Sequence, residues 1–179
     1  MRFEEGDNMQ LYNPNHIANA FLLKAKNEGV NDVDALKIQK LTYNLNGFSL
    51  AIDDCPIVGE RFQAWPYGPV LATLYHQFKK YGRGPIAGWA FDEGSKDQAF
   101  RPSDRDRHFY DLLEAVWDRY RAFSGLQLSA LTHAEGTPWS LARKRGDDYL
   151  NNDEIKDHFL SILESSKKKI PPIQVASAE

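Results

Sequence analysis

Asn31–Asp54 reads NDVDALKIQKLTYNLNGFSLAIDD. Ile38, Leu41, Leu45 and Phe48 recur at spacings of three and four, the period at which side chains return to one face of a helix. Asn31, with Asp34 three residues later, supplies a start signal, and Asp53–Asp54 marks the end. Gly47 lies inside this helix, where glycine costs about 1 kcal/mol relative to alanine. Either a neighbouring backbone approaches closely there or the helix bends.

The same helical punctuation repeats on both sides. Upstream, Asn13–Pro14 reads as a cap followed by Pro at the first helical position, and Ile17, Ala20, Phe21 and Ala25 keep helical spacing up to Gly29. Downstream, the period changes: Phe62 and Ala64 alternate with Arg61 and Gln63 after Ile57–Val58, which predicts one or two short strands before Pro66. Gly68–Pro69 again has the form of a cap and a first-turn proline, leading into Leu71, Leu74, Tyr75, Phe78 and Tyr81, and Gly82 stops that helix. Residues 82–103 hold several Gly and Pro and one brief candidate strand, Ile86–Phe91; loops of this length are uncommon in compact domains unless mobile or functional. Ser103 with Asp106 resembles a capping box ahead of Phe109, Leu112, Leu113, Val116, Trp117 and Tyr120, the most regular apolar stripe in the chain. Gly125 ends or bends that helix, Leu126–Ala134 forms another, and Thr137–Pro138 caps a short one that closes at Arg143–Lys144–Arg145–Gly146. Ile155, Phe159, Ile162 and Leu163 make the last helix after Asn152.

The predicted fold is therefore mainly α: a single compact helical domain of about six or seven helices with a small antiparallel β element near residues 57–64, which 86–91 would complete. Residues 1–12 read as an N-terminal extension, 13–164 as the helical domain and 165–179 as a flexible C-terminal tail.

The chain has 179 residues, 22 Lys plus Arg against 25 Asp plus Glu, one Cys and 42% apolar residues. That is one ordinary domain, whose folding removes about 70% of the unfolded chain's surface from water. Cys55 alone can form no intramolecular disulfide, and Met1–Tyr12 carries Glu4, Glu5 and Asp7 in place of a basic region and apolar run, so a reducing cytoplasm is the expected location. No apolar run approaches the roughly 20 residues that span a bilayer. A net charge of −3 argues against a generic nucleic-acid binder; DNA binding through a local basic patch is an unfavoured alternative.

Catalytic and metal motifs are weak. The five histidines, His16, His76, His108, His133 and His158, include no i, i+4 pair for a metal, and no cofactor is expected. Cys55 sits beside Asp53, Asp54 and Pro56, a setting that does not suit a nucleophilic thiol. Gly82–Arg83–Gly84 lacks the spacing and the Lys-Ser/Thr of a phosphate loop. The acidic pairs fall at helix starts and Arg143–Lys144–Arg145 at a helix end, where the helix dipole favours each sign. Core packing is the expected role of Trp117 and Trp139, whereas Tyr67, in a turn between Pro66 and Gly68, is harder to bury.

Taken together, Leu36–Leu50 (LKIQKLTYNLNGFSL), Ala64–Val70 (AWPYGPV), Leu74–Gly82 (LYHQFKKYG), Leu128–His133 (LSALTH) and Pro138–Trp139 with Ala142 resemble the Panacea domain of SocA-like antitoxins, over about Ile17 to Phe159. Thr42 and Asn44 depart from it, standing where the family usually has apolar residues. Gln39, Lys40, Leu41, Tyr43, Trp65, Gly68, Pro69, Tyr75, Phe78, Thr132, His133, Pro138 and Trp139 are the motif positions and are expected to be structural. Leu41 and Phe78 belong to the core, Gly68–Pro69 starts a helix, and Thr132–His133 joins a buried polar network. The resemblance implies a non-enzymatic antitoxin that binds and neutralises a protein toxin encoded beside it. An alternative is an adaptor delivering the toxin to a ClpXP-type protease; another is a hydrolase with an unrecognised site. Expected contact residues are Arg61, Gln63 and Tyr67 on the strand–turn edge, with Arg143 and Lys144 as an electrostatic rim.

Overall fold

Asp34 starts the central helix: its carboxylate accepts the Lys37 amide at 2.6 Å, and helix α2 runs Ala35–Asp53 until Asp54 turns left-handed. The computed structural model describes residues 11–95 and 97–168, with the side chains of 167 and 168 left aside. Within it α1 (Pro14–Asn27) precedes α2, and a two-stranded antiparallel sheet follows, β1 (Gln63–Trp65) and β2 (Gly68–Val70). Then come α3 (Ala72–Phe78) with a 3-10 turn at Lys79–Tyr81, α4 (Arg107–Tyr120), α5 (Gly125–Thr132), α6 (Pro138–Arg145) and α7 (Asn152–Lys168). The described fold is mainly α, with seven helices and one small antiparallel sheet, as the sequence predicts. No described helix is long and apolar enough to cross a membrane.

Helix α2 touches α1, α3, α4, α5, α7 and β2, so it is enclosed on every side. Ile38, Leu41, Leu45 and Phe48 are buried, but so are Lys37, Gln39, Lys40, Thr42, Asn46 and Ser49 on its other faces. Buried polar groups must find partners. Thr42 donates back to the Ile38 carbonyl (2.9 Å), Ser49 donates to the Cys55 carbonyl (2.8 Å), and the Asn46 carbonyl oxygen accepts the Ile57 amide (3.1 Å). Lys37 donates to Asp32 (2.9 Å) and to the Arg121 carbonyl (2.8 Å).

Gly47 is a site of close approach, not a bend. The Phe159 ring of α7 lies over it so tightly that an added Cβ would stand 2.2 Å from a ring carbon. Tyr43 and Phe48 meet the same ring edge-on, at centroid distances of 5.6 and 4.9 Å, and lock α7 onto α2. Gly125 plays a like part: it opens α5 where a Cβ would stand 2.6 Å from the Asp34 carboxylate, so the starts of α2 and α5 abut.

Several boundaries differ from expectation. Asp34, not Asn31, caps α2; Asp106, not Ser103, caps α4, accepting the Phe109 amide at 2.9 Å. Gly125 starts α5 behind a Ser124–Gln127 capping box instead of closing the preceding helix, and Asn151 caps α7 by accepting the Asp153 amide at 2.7 Å. Ile57–Val58 forms no named strand: Val58 makes a single parallel bridge to Tyr12, whose phenol donates to Asp106. Residues 86–91 form no strand either. They lie along α1, where Asn19 clasps Ala90 in both directions (2.9 and 2.8 Å) and also holds the Phe100 carbonyl (2.8 Å). Asn15 holds the Phe91 carbonyl (3.0 Å) and His16 pairs with Asp92 (2.7 Å), so the long loop is strapped to the first helix. Helix α7 carries on past Ser165 to Lys168; the remainder of the expected tail, and residues 1–10 of the expected extension, lie outside the described residues.

Gly47→Ala should lower the free energy of unfolding by about 1–3 kcal/mol, the usual cost of overpacking, even though alanine improves helix propensity. Urea denaturation read by circular dichroism checks this, and an unchanged midpoint would contradict the packing described.

Candidate functional site

The turn between β1 and β2 holds two residues, Pro66 and Tyr67, with Trp65 paired to Gly68. Proline cannot take positive φ and Tyr67 does not, which excludes the mirror-image turns that suit short hairpins. Gly68 supplies the missing twist at φ 97°. It also sits so close to α2 and α5 that a Cβ would stand 2.5 Å from the Thr132 hydroxyl and 2.9 Å from Lys40 Cε.

Three-residue strands satisfy few of their own backbone groups, and the surrounding helices supply the rest. The Arg143 guanidinium donates to the Ala64 carbonyl (3.2 Å), the Trp139 indole to Trp65 (2.8 Å), the Ser129 hydroxyl to Tyr67 (2.8 Å) and the Lys40 ammonium to Pro69 (2.8 Å). Gln39 matches its amide to Leu71, donating to the carbonyl and accepting from the amide, each at 2.9 Å. The Ala64 amide in turn donates to Asp148 (2.9 Å). These bonds explain a correction: Gly68–Pro69 does not start a helix. Proline disfavours a helical residue before it, and Lys40 and Gln39 hold 68–71 extended, so α3 waits until Ala72.

Three of the motif positions, Gln39, Lys40 and Trp139, thus converge on one hairpin together with Ser129 and Arg143. These grip its backbone, while Leu41, Tyr43 and Phe78 lie in the core. Pro138 opens α6, and Trp65 meets Tyr75 edge-on at 4.8 Å, with Tyr75 41% exposed. Thr132 and His133 part company. Thr132 is buried, donates to the Ser129 carbonyl (2.7 Å) and offers its own carbonyl to Thr137 (2.6 Å). His133 faces outward, stacked on the half-buried Trp139 ring at 4.0 Å. Its imidazole pKa is lowered by desolvation, with the Lys40 charge adding to the effect.

Tyr67 projects from the turn with 62% of its surface exposed. Of the other expected contact residues, Gln63 accepts the Trp65 indole proton (2.7 Å) and Arg143 is tied to the hairpin. Lys144 pairs with Glu135 (3.0 Å), and Arg61 lies at the hairpin's other end, its guanidinium over the Tyr149 ring at 4.8 Å. Arg61 and Tyr67 are therefore not neighbours. Ser129 was within a quoted motif yet gave no sign of its role, because a serine in a helix usually bonds locally.

Lys40 is the electrostatic oddity. It is fully buried, its ammonium has the Pro69 carbonyl as partner and no carboxylate within ion-pair distance among the described residues, and desolvation lowers its pKa to about 7. Between about pH 7 and its ordinary 10.5 the unfolded chain binds the proton that the folded chain has lost, so stability rises with pH across that window. Lys40→Met should remove this slope: the wild-type chain should gain stability relative to the variant as pH rises from 7 to about 10. Guanidinium denaturation of both across that range checks it; parallel profiles would refute a titrating Lys40.

The family model of the SocA-like antitoxins, Panacea domain, matches residues 38–140, which span the helix, hairpin and α5 positions described above. Antitoxin SocA of Caulobacter vibrioides (strain NA1000 / CB15N) is 31% identical over 127 residues, covering 70% of this chain and 67% of that protein. No solved structure matches the chain. By the family match and by this identity over most of both sequences, the chain belongs to the SocA-like antitoxin family.

Proposed function

We propose that this chain neutralises a protein toxin by binding it directly, with the Trp65–Gly68 hairpin as the centre of the contact surface. The observation that carries the reading is the hairpin itself: helix side chains fix its backbone while Tyr67 stands 62% exposed at its tip. A rigid aromatic loses little entropy on binding, and Tyr, Trp and Arg dominate interface hot spots. Tyr75 and the His133–Trp139 stack extend the aromatic surface beside it, and Lys144 and Arg143 give it a basic border. Nothing in this arrangement requires a bond to be made or broken; shape and charge are sufficient for a stoichiometric inhibitor.

The test is co-expression with the toxin encoded beside this chain, followed by calorimetry on the purified pair. Wild-type chain should restore growth and bind. Tyr67→Ala should weaken the complex by about tenfold to a hundredfold with no shift in its denaturation midpoint, since Tyr67 contributes its carbonyl, not its ring, to the hairpin clamp. Toxin levels should stay constant whether or not a ClpXP-type protease is present. Growth rescue that needs the protease and is accompanied by toxin loss would support an adaptor instead.

A further inference from the structure

Helix α5 borders a second feature that the hairpin surface leaves unused. A cleft of about 460 Å³ opens between α5, α7 and the end of α4, with Tyr43 and Asn44 of α2 at its floor. Its walls are apolar, from Leu128 and Leu131 on α5 to Phe159 and Ile162 on α7. At the rim Phe123 is 36% and Leu131 52% exposed, and Leu126 nearby on α5 is 68% exposed. An eight-residue helix cannot turn Leu126, Leu128 and Leu131 to one face; Leu128 is inside and the other two are left in water. Exposed apolar surface around a concavity marks a binding site more often than chance exposure does.

The polar groups of the cleft specify what it can take. Asn44 donates its amide to the Lys40 carbonyl (2.7 Å), which leaves its carbonyl oxygen open, and the Tyr43 phenol and His158 imidazole make no side-chain hydrogen bond to a described residue. Burial lowers the His158 pKa, which favours the neutral ring. Among the described residues no acidic side chain lines the cleft. Arg119 bonds the Tyr120 phenol (3.2 Å) and the Ser166 hydroxyl (3.5 Å), and no described carboxylate lies within ion-pair distance of it. Arg101, Arg121 and Arg145 each hold a carboxylate, whereas Arg119 shares its lack of one among the described residues with Arg61, Arg83, Arg105, Arg107 and Arg143 and differs from them in lining the cleft.

We propose that this cleft receives an amphipathic helix of the toxin, seating an apolar side chain between Leu131 and Ile162 and setting a carboxylate against Arg119. The inference rests on the direct binding proposed above and names a second contact of the same partner. A helix is the fitting occupant because it satisfies its own backbone, and the cleft offers side chains, with no open strand edge to pair. Both places border the same helix: Ser129 of α5 faces the hairpin, Leu128 and Leu131 wall the cleft, and Thr132 touches both. A helix is only about 10 Å across, well within an interface of standard size.

A photo-crosslinking amino acid is placed at Leu131 or, separately, at Tyr67 of the full chain, which is then irradiated with the toxin encoded beside it and mapped by mass spectrometry. The expected result is a Leu131 crosslink into a toxin helix bearing an acidic residue. Leu131→Asp should weaken binding about tenfold or more, and Arg119→Glu should weaken it and flatten its salt dependence, both with native denaturation midpoints. A crosslink from Tyr67 alone, with Leu131→Asp binding like wild type, would overturn the cleft and leave direct binding standing. Failure of both positions to crosslink, with no complex on sedimentation, would overturn direct binding and the cleft with it. A Leu131 crosslink between two copies of this chain would replace the toxin helix by self-association and overturn the proposal.

Discussion

A two-stranded hairpin of three-residue strands has more backbone polar groups than it can pair internally, and behind its exposed tip Ala64 and the whole of β2 are buried among helices. Unmet groups of this kind cost about 1–3 kcal/mol each. The solution here is side-chain donation from three helices, by Gln39 and Lys40 of α2, Ser129 of α5, and Trp139 and Arg143 of α6, while the Asp148 carbonyl beyond α6 accepts the Ala64 amide. Because α2 lies far in sequence from α5 and α6, the hairpin's bonds depend on all three helices meeting correctly.

The same constraint accounts for the polar character of α2. A central helix would ordinarily be apolar all round, yet this one carries two lysines and a glutamine into the interior. Lys37 reaches a carboxylate; Lys40 reaches only a carbonyl, and its ammonium is correspondingly easy to deprotonate. A methionine would pack as well, but it would abandon the Pro69 carbonyl. Specifying one position for residues 68–71 is therefore bound up with keeping a poorly solvated amine inside the fold, a conflict between local stability and global uniqueness.

The helical frame was legible because its signals are local. Pro14, Pro138, Thr137 and Gly146 act within one turn of where they stand, and the stripe from Phe109 to Tyr120 shows its buried face directly. Gly47 could be flagged as anomalous, although only the fold reveals that Phe159, more than a hundred residues away, is the reason. Gly68–Pro69 misled because a cap followed by proline has the same local grammar in a helix and after a tight turn; Lys40 and Gln39 decide between them from a distance. Tyr67 could be picked out from its turn. The wall of the α5–α7 cleft could have been suspected from leucines at 126, 128 and 131, whose spacing no single helix face accommodates, but its shape depends on how four helices meet. Arg61 was grouped with Tyr67 by strand alternation, and the hairpin's length separates them.

Asn19 also has a topological consequence. Its one carboxamide holds Ala90 and Phe100 together, and with Phe91 and Asp92 tied to Asn15 and His16 the chain leaves the frame after Asp92 and returns to it at Phe100. Closing such a stem makes the intervening length nearly free to vary, since added residues increase the loop entropy only logarithmically. A peptide grafted between Asp92 and Phe100 is therefore expected to leave the register of every helix unchanged.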